Sequence, residues 1–279
     1  MDMHTGKPST RGKTILITGA TRGLGHQLAL DLAADGATLL LHGRDSARLD
    51  EITAQVRTAA PGTAVRTYLA DLADLDQVRA MAARLLDAEP RLDVLVNNAV
   101  VGAGADWTKR ELSAQGYELR FAVNYLAPYV LTRALLPLLT SSAPSRVVNV
   151  ASIGQAPVDF DDVMLEHAYD ALHAYCRSKV ALIMWTFDLA AELADRGVTA
   201  NALHPAHLMD TPGVRDAGLE PAVGVEEGAQ PTVRLITDPA LESTNGRYFD
   251  RFTDSRAHDQ TYDAAARARL ATLTRSLVA

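Results

Sequence analysis

The sequence predicts an α/β fold, a doubly wound and parallel seven-stranded sheet with helices on both faces. Three observations predict it. Short apolar runs recur along the 279 residues, each followed by a longer amphipathic stretch. The runs are apolar throughout, as strands are when helices cover both sides of a sheet. A glycine-rich turn joins the first run to the first amphipathic stretch.

In chain order, residues 1–12 are polar and mixed in charge and read as a flexible tail. The predicted strands are Thr14–Thr18, Thr38–His42, Val65–Leu69, Val94–Asn97, Val147–Val150, Thr199–Leu203 and Arg247–Phe249. Helical patterns fall between them at Leu24–Ala34, Ser46–Thr58, Leu75–Ala88, Gly116–Leu139, Ala174–Ala194, Val225–Ile236 and Tyr262–Ser276. Asp45 is placed to cap the second of these. Pro128 and Pro137 should kink or end the fourth. Val180–Trp185 is hydrophobic all round, which fits either burial in the core or a subunit interface, and a homodimer through this helix is expected. Residues 206–225 follow the sixth strand and carry Pro212, Gly213, Gly218, Pro221 and Gly224, so they are expected to form a mobile substrate lid. No linker or repeat interrupts the alternation, and residues 13–279 read as one domain.

Composition excludes several classes of function. A net charge of −7 argues against a nucleic-acid partner. Cys176 is the only cysteine, so no intrachain disulfide can form, as suits a reducing compartment. The N-terminus lacks a signal-like apolar segment, and no apolar run is read as approaching the ~20 residues that span a bilayer. A cytoplasmic location and no membrane partner are expected. Asp159, Asp161 and Asp162 read as a solvated acidic loop, the eight histidines show no ligand spacing, and no metal is assigned.

The turn Thr18-Gly19-Ala20-Thr21-Arg22-Gly23-Leu24-Gly25 opens the first helix. Glycines there let the backbone approach a pyrophosphate at a helix N-terminus, the mark of a Rossmann-type dinucleotide domain. Further landmarks follow in order: Asp71-Leu72, Asn97-Asn98-Ala99, Asn124, Ser152, Tyr175-Cys176-Arg177-Ser178-Lys179 and His204-Pro205. Together they resemble the short-chain dehydrogenase/reductase superfamily over residues 13 to 277. Ser152 and Tyr175 are 23 apart, and the extra segment Pro157–Asp162 resembles that of retinol-dehydrogenase-like members. Glu227-Gly228-Ala229-Gln230 and Gly246-Arg247-Tyr248-Phe249 support that placement.

Tyr175 and Lys179 lie four apart, on one face of a helix. The resemblance implies that Tyr175 is the general acid/base and that Lys179 lowers its pKa and meets the nicotinamide ribose. It further implies that Ser152 binds the substrate oxygen and that Asn124 supports a water-linked proton path. Cofactor contacts are implied for Gly19, Thr21, Arg22, Gly23, Leu24, Gly25, Arg44, Asp71, Leu72, Asn98, Ala99, Tyr175, Lys179 and Pro205. Gly43 stands where an acidic residue usually selects NADH, and Arg44 and Arg22 suit a 2′-phosphate, so NADPH/NADP+ is the expected cofactor. Val100 and Ala206 replace common family glycines; Trp107, Tyr169 and His207 are candidate pocket residues. The expected function is an NADPH-dependent ketone or aldehyde reductase of small organic molecules. Its rivals are an alcohol dehydrogenase working oxidatively on an alcohol substrate, and a non-catalytic dinucleotide sensor.

Overall fold

A computed structural model describes residues 9–279. Its strands are β1 (Thr14–Ile17), β2 (Thr38–Gly43), β3 (Val65–Leu69), β4 (Val94–Asn97), β5 (Ser145–Val150), β6 (Val198–His204), β7 (Tyr248–Asp250) and β8 (Thr253–Ser255). They form one sheet in the order β3-β2-β1-β4-β5-β6-β7-β8, parallel except where β8 returns antiparallel to β7. The helices are α1 (Gly23–Ala34), α2 (Ser46–Ala59), α3 (Leu75–Ala88), α4 (Leu119–Phe121), α5 (Ala127–Ser141), α6 (Ala171–Glu192), α7 (Pro212–Asp216), α8 (Val225–Thr237) and α9 (Ala264–Leu277).

Period-two alternation divides most of the apolar side chains between two large cores, with a smaller cluster around Ile183 and Tyr248. Ile15, Ile17, Leu39 and Leu41 pack with α1, α2 and α8. Leu16 and Leu40 face the opposite way, toward α3, α5 and α6. Full burial of each such side chain contributes about 1.5–3 kcal/mol. Both faces are therefore dry, and the ends of the strands are where chemistry can reach solvent.

The expected seven-stranded sheet gains an eighth, β8. Its three residues are polar and partly exposed, and the Arg251-Phe252 turn before it carries no Asn-Gly signal. Arg251 itself takes a positive φ of 53°. The long helix begins at Leu119 rather than Gly116, whose φ is 81°. A π-turn over Ala122–Leu126 separates α4 from α5. Neither proline ends the helix: Pro128 sits in the first turn of α5 and Pro137 lies inside it.

Leu119–Ser141 is long and apolar enough to cross a membrane, a run the sequence reading overlooked. Here 72% of its apolar window is buried within the chain. Val180–Trp185 is likewise buried inside this chain, which accounts for its all-round apolarity without a second subunit. Residues 1–8 of the expected tail lie outside the described residues. The rest of that stretch is docked, since Thr10 is fully buried and its hydroxyl donates to Asp35 at 2.9 Å.

Candidate active site

The strand order reverses at β1, which has β2 on one side and β4 on the other. In open parallel sheets ligands bind in the crevice at such a switch point. The glycine turn fills one wall of it. Gly19 has φ 67°, and a β-carbon there would lie 2.8 Å from Ala99 Cα, so only glycine lets the turn close on the loop after β4. A β-carbon on Gly25 would collide with the Gly19 carbonyl. Asn98 ties the two walls together: its Nδ2 donates to the Thr18 carbonyl at 2.8 Å, and Thr18 Oγ1 accepts from the N–H groups of Asn98 and Ala99 at 2.9 and 3.0 Å. Thr21, Gly23 and Arg22 lead into α1, with Arg22 at its N-cap in extended conformation and its side chain free of the cap.

His42, which sequence reasoning missed, anchors this turn. Its Nδ1 accepts from the Gly19 N–H at 3.1 Å, so Nε2 carries the proton and donates to the Ala70 carbonyl at 3.1 Å. Burial lowers its pKa to about 4, and it stays neutral. The only sequence signal was a lone histidine closing an apolar strand.

Arg22 and Arg44 are exposed, and among the described residues neither guanidinium has an ion pair or hydrogen bond. Asp45 is occupied elsewhere: it caps α2 by accepting from the Arg48 N–H at 3.3 Å and pairs with the Arg48 side chain. Asp71 folds into a turn, its Oδ1 accepting from the Ala73 N–H at 2.9 Å. Leu24 and Leu72 bury their side chains in the cores, so their implied cofactor contacts would be made by their backbones. Pro205 is buried at the end of β6, beside a buried Ala206. Neither Ala206 nor Val100 has a positive φ, so replacing glycine there brings no strain.

The opposite wall carries the reactive side chains. Ser152 follows β5, and Tyr175 and Lys179 rise from one face of α6, whose N-terminus Asp170 caps through the His173 N–H at 2.6 Å. Ser152 Oγ accepts from the Gly154 N–H at 3.0 Å, which leaves its own proton free to donate. A β-carbon at Gly154 would touch Cys176 Sγ, Ser152 Oγ and the Tyr175 ring at 3.3, 3.4 and 3.7 Å, so this glycine lets serine and tyrosine converge. Burial pushes the Tyr175 phenol above its ordinary pKa, and a hydrogen bond with Ser152 opposes the shift. Lys179 Nζ donates to the Val150 carbonyl at 2.8 Å and lies 5.5 Å from the Tyr175 ring centroid. Burial lowers the Lys179 pKa to about 7. The ammonium thus lies beside the tyrosine ring and is turned onto a carbonyl, while Ser152 is the group that opposes the rise in the tyrosine pKa.

Asn124 occupies the π-turn. Its Oδ1 accepts from the Val101 N–H at 2.8 Å, and its Nδ2 donates to the Val101 carbonyl and to Ser178 Oγ, both at 3.0 Å. Ser178 in turn donates to the Tyr175 carbonyl at 2.6 Å, linking the π-turn to the catalytic helix. One turn earlier, Arg120 is almost wholly buried and donates to the Gly102 and Ala103 carbonyls at 3.0 and 2.9 Å. It also donates to the Tyr169 hydroxyl at 2.8 Å, which donates onward to Glu118 at 2.9 Å. The half-buried Tyr169 thus joins the network of the buried Arg120 and Glu118. In the acidic loop Asp162 accepts from the Glu166 and His167 N–H groups, while Asp159 pairs with Arg177 of α6 and Asp161 with Arg269 of α9.

Residues 206–225, the expected lid, fold as a neck and a short helix. A neck pairs Met209 with Val223, and the Asp210 N–H donates to the Val223 carbonyl at 2.8 Å. α7 lies beyond it, with Arg215 held by Asp210. A β-carbon on Gly23 would come 3.0 Å from Thr211 Cγ2, and one on Gly102 would come 3.5 Å from the Gly213 carbonyl. The cover therefore reaches from the glycine turn to the loop after β4.

The family model for short chain dehydrogenases matches residues 13–220. Mouse retinol dehydrogenase 13 (Mus musculus) is 34% identical over 290 residues, 98% of this chain and 85% of that protein. Mouse retinol dehydrogenase 14 is 40% identical, covering 85% of this chain and 77% of that one. Among solved structures, an uncharacterized protein from Mycobacterium Paratuberculosis superposes with a TM-score of 0.79 at 29% identity, over 97% of this chain and 95% of that one. A short chain dehydrogenase from Burkholderia cenocepacia, solved in complex with NADP, gives 0.67 at 28% identity, over 86% and 96%. The glycine turn, the Ser152–Tyr175–Lys179 wall and this breadth of likeness converge on one conclusion: the chain belongs to the short-chain dehydrogenase/reductase family of oxidoreductases, in its retinol-dehydrogenase-like subgroup.

Proposed function

We propose that this chain is an NADPH-dependent carbonyl reductase that acts on ketones or aldehydes of small organic molecules, with Tyr175 as proton donor. The observation that carries the reading is the convergence of Ser152 and Tyr175 around Gly154, with the phenol kept protonated by burial. A dinucleotide fits the opposite wall, where Gly19 and Gly25 keep the backbone bare and the N-terminus of α1 opens onto the crevice. When bound, it supplies the hydride.

The residues do the rest. Tyr175 holds a proton at its phenol oxygen at neutral pH and can pass it to a carbonyl oxygen as negative charge develops there. Ser152, with its acceptor side occupied by Gly154, offers its own proton to the same oxygen. Lys179 places a titratable ammonium beneath the ring, and Asn124 holds the π-turn to α6 through Ser178. Val100 and Ile153, both more than half exposed, flank Ala99 and Ser152 and favour an uncharged substrate.

Arg22 and Arg44 support NADPH over NADH. Two guanidinium groups, unpaired among the described residues, flank a β2 end where Gly43 stands in place of an acidic residue, the surroundings a 2′-phosphate needs. The test is steady-state kinetics with both coenzymes on a panel of carbonyl compounds. Arg44→Ala is expected to weaken NADPH by at least about 10-fold while NADH hardly changes. Adding Arg22→Ala should erase most of the remaining preference. A higher kcat/KM with NADH in the unmodified protein would refute the coenzyme assignment.

A further inference from the structure

Gly43 closes β2 at the point where NADH-preferring enzymes commonly carry an acidic side chain for the ribose 2′-hydroxyl. Its φ is not positive, so its backbone would accept any residue; what bars a side chain is space. A β-carbon built there lies 2.6 Å from Thr21 Cγ2 and 3.2 Å from both Leu49 Cδ2 and Cγ. The first distance is far inside carbon–carbon contact, and the second closes the other direction.

The neighbours have little room to yield. Threonine is β-branched and has few χ1 choices. The backbone before it is stitched to the strand, because the Ala20 N–H donates to the His42 carbonyl at 2.9 Å and the Gly19 N–H to the His42 ring at 3.1 Å. Leu49 is a buried core residue on α2. The strand cannot back away either, since the Gly43 carbonyl accepts from the Ala70 N–H at 3.2 Å.

We infer that Thr21 is a specificity-determining residue for the coenzyme: its γ-methyl fills the volume that a side chain at position 43 requires, and so keeps a carboxylate out of the place that would select NADH. The inference rests on the NADPH reading above. It moves the control of selectivity from position 43 alone to a coupled pair, one partner of which lies in the glycine turn.

The experiment is a double-mutant cycle on the coenzyme-free protein, titrated with NADH and with NADPH by calorimetry. Gly43→Asp in the wild-type background should weaken NADPH and leave NADH bound no more tightly. In the Thr21→Ala background the same change should tighten NADH by at least about 10-fold. Melting temperatures of a parallel Gly43→Ala cycle read the steric contact by itself. Gly43→Ala should lower the melting temperature of the wild-type background by clearly more than that of Thr21→Ala. An equal NADH gain in both backgrounds, no gain in the Thr21→Ala background, or additive melting shifts would each overturn the inference. A wild-type protein that prefers NADH would strike at the NADPH reading instead, and the melting cycle would still report on Thr21.

Discussion

Lys179 shows what the cleft costs the fold. Only 2% of it is exposed, its Nζ donates to a carbonyl, and its pKa falls from 10.5 to about 7. Above pH 10.5 lysine is neutral whether the chain is folded or not, and burial carries no ionic penalty. Between 10.5 and 7 the unfolded chain keeps a proton that the folded chain gives up, so stability falls as pH falls; below 7 the penalty is constant. Lys179→Met removes it. The variant's gain in melting temperature without coenzyme should therefore be larger at pH 6.5 than at pH 9.5, while coenzyme affinity and turnover both suffer. A variant no more stable than wild type at pH 6.5 would contradict this description of the site. At this scale Tyr175, Lys179, Ser152 and Asn124 were legible because their types and order carry the chemistry. His42 was not, because its partners Gly19 and Ala70 reach it only through the folding of β2 between the turn and β3.

The stretch from α4 through the π-turn to α5 is the element on which the site depends. Arg120 and Asn124, one turn apart, between them hold Val101, Gly102 and Ala103 by their backbones. Glu118 lies against Arg120, equally buried. Removing one member of such a pair strands the other charge in the interior, at a cost of about 3–5 kcal/mol. Arg120→Met should lose stability on that scale in urea unfolding, and adding Glu118→Gln should restore part of it. A loss below about 1 kcal/mol would show that the pair is solvated and does not clamp the loop. The sequence pattern located this helix by its apolar period but could not show the π-turn, which is a slip in hydrogen bonding rather than a change in composition. Nor could it show β8, a three-residue polar edge that exists only because β7 lies beside it.

Across the whole molecule, two dry cores fix the sheet and leave its carboxyl edge as the one place where glycine turn, cover and catalytic helix meet. That plan was legible early, because strands buried on both faces and separated by amphipathic helices admit few other arrangements. The membrane question was read less well: hydropathy alone cannot tell a spanning helix from Leu119–Ser141, which is apolar because α3 and α6 enclose it. The central claim is that Tyr175 donates the proton in carbonyl reduction, and Tyr175→Phe tests it most directly, assayed for NADPH affinity and for turnover of a carbonyl substrate. The phenyl ring keeps the packing against Gly154 and Lys179 and removes only the hydroxyl, so NADPH affinity should hold while turnover falls by at least about 10²-fold. Retention of most of the turnover by a folded, NADPH-binding Tyr175→Phe protein would contradict the claim.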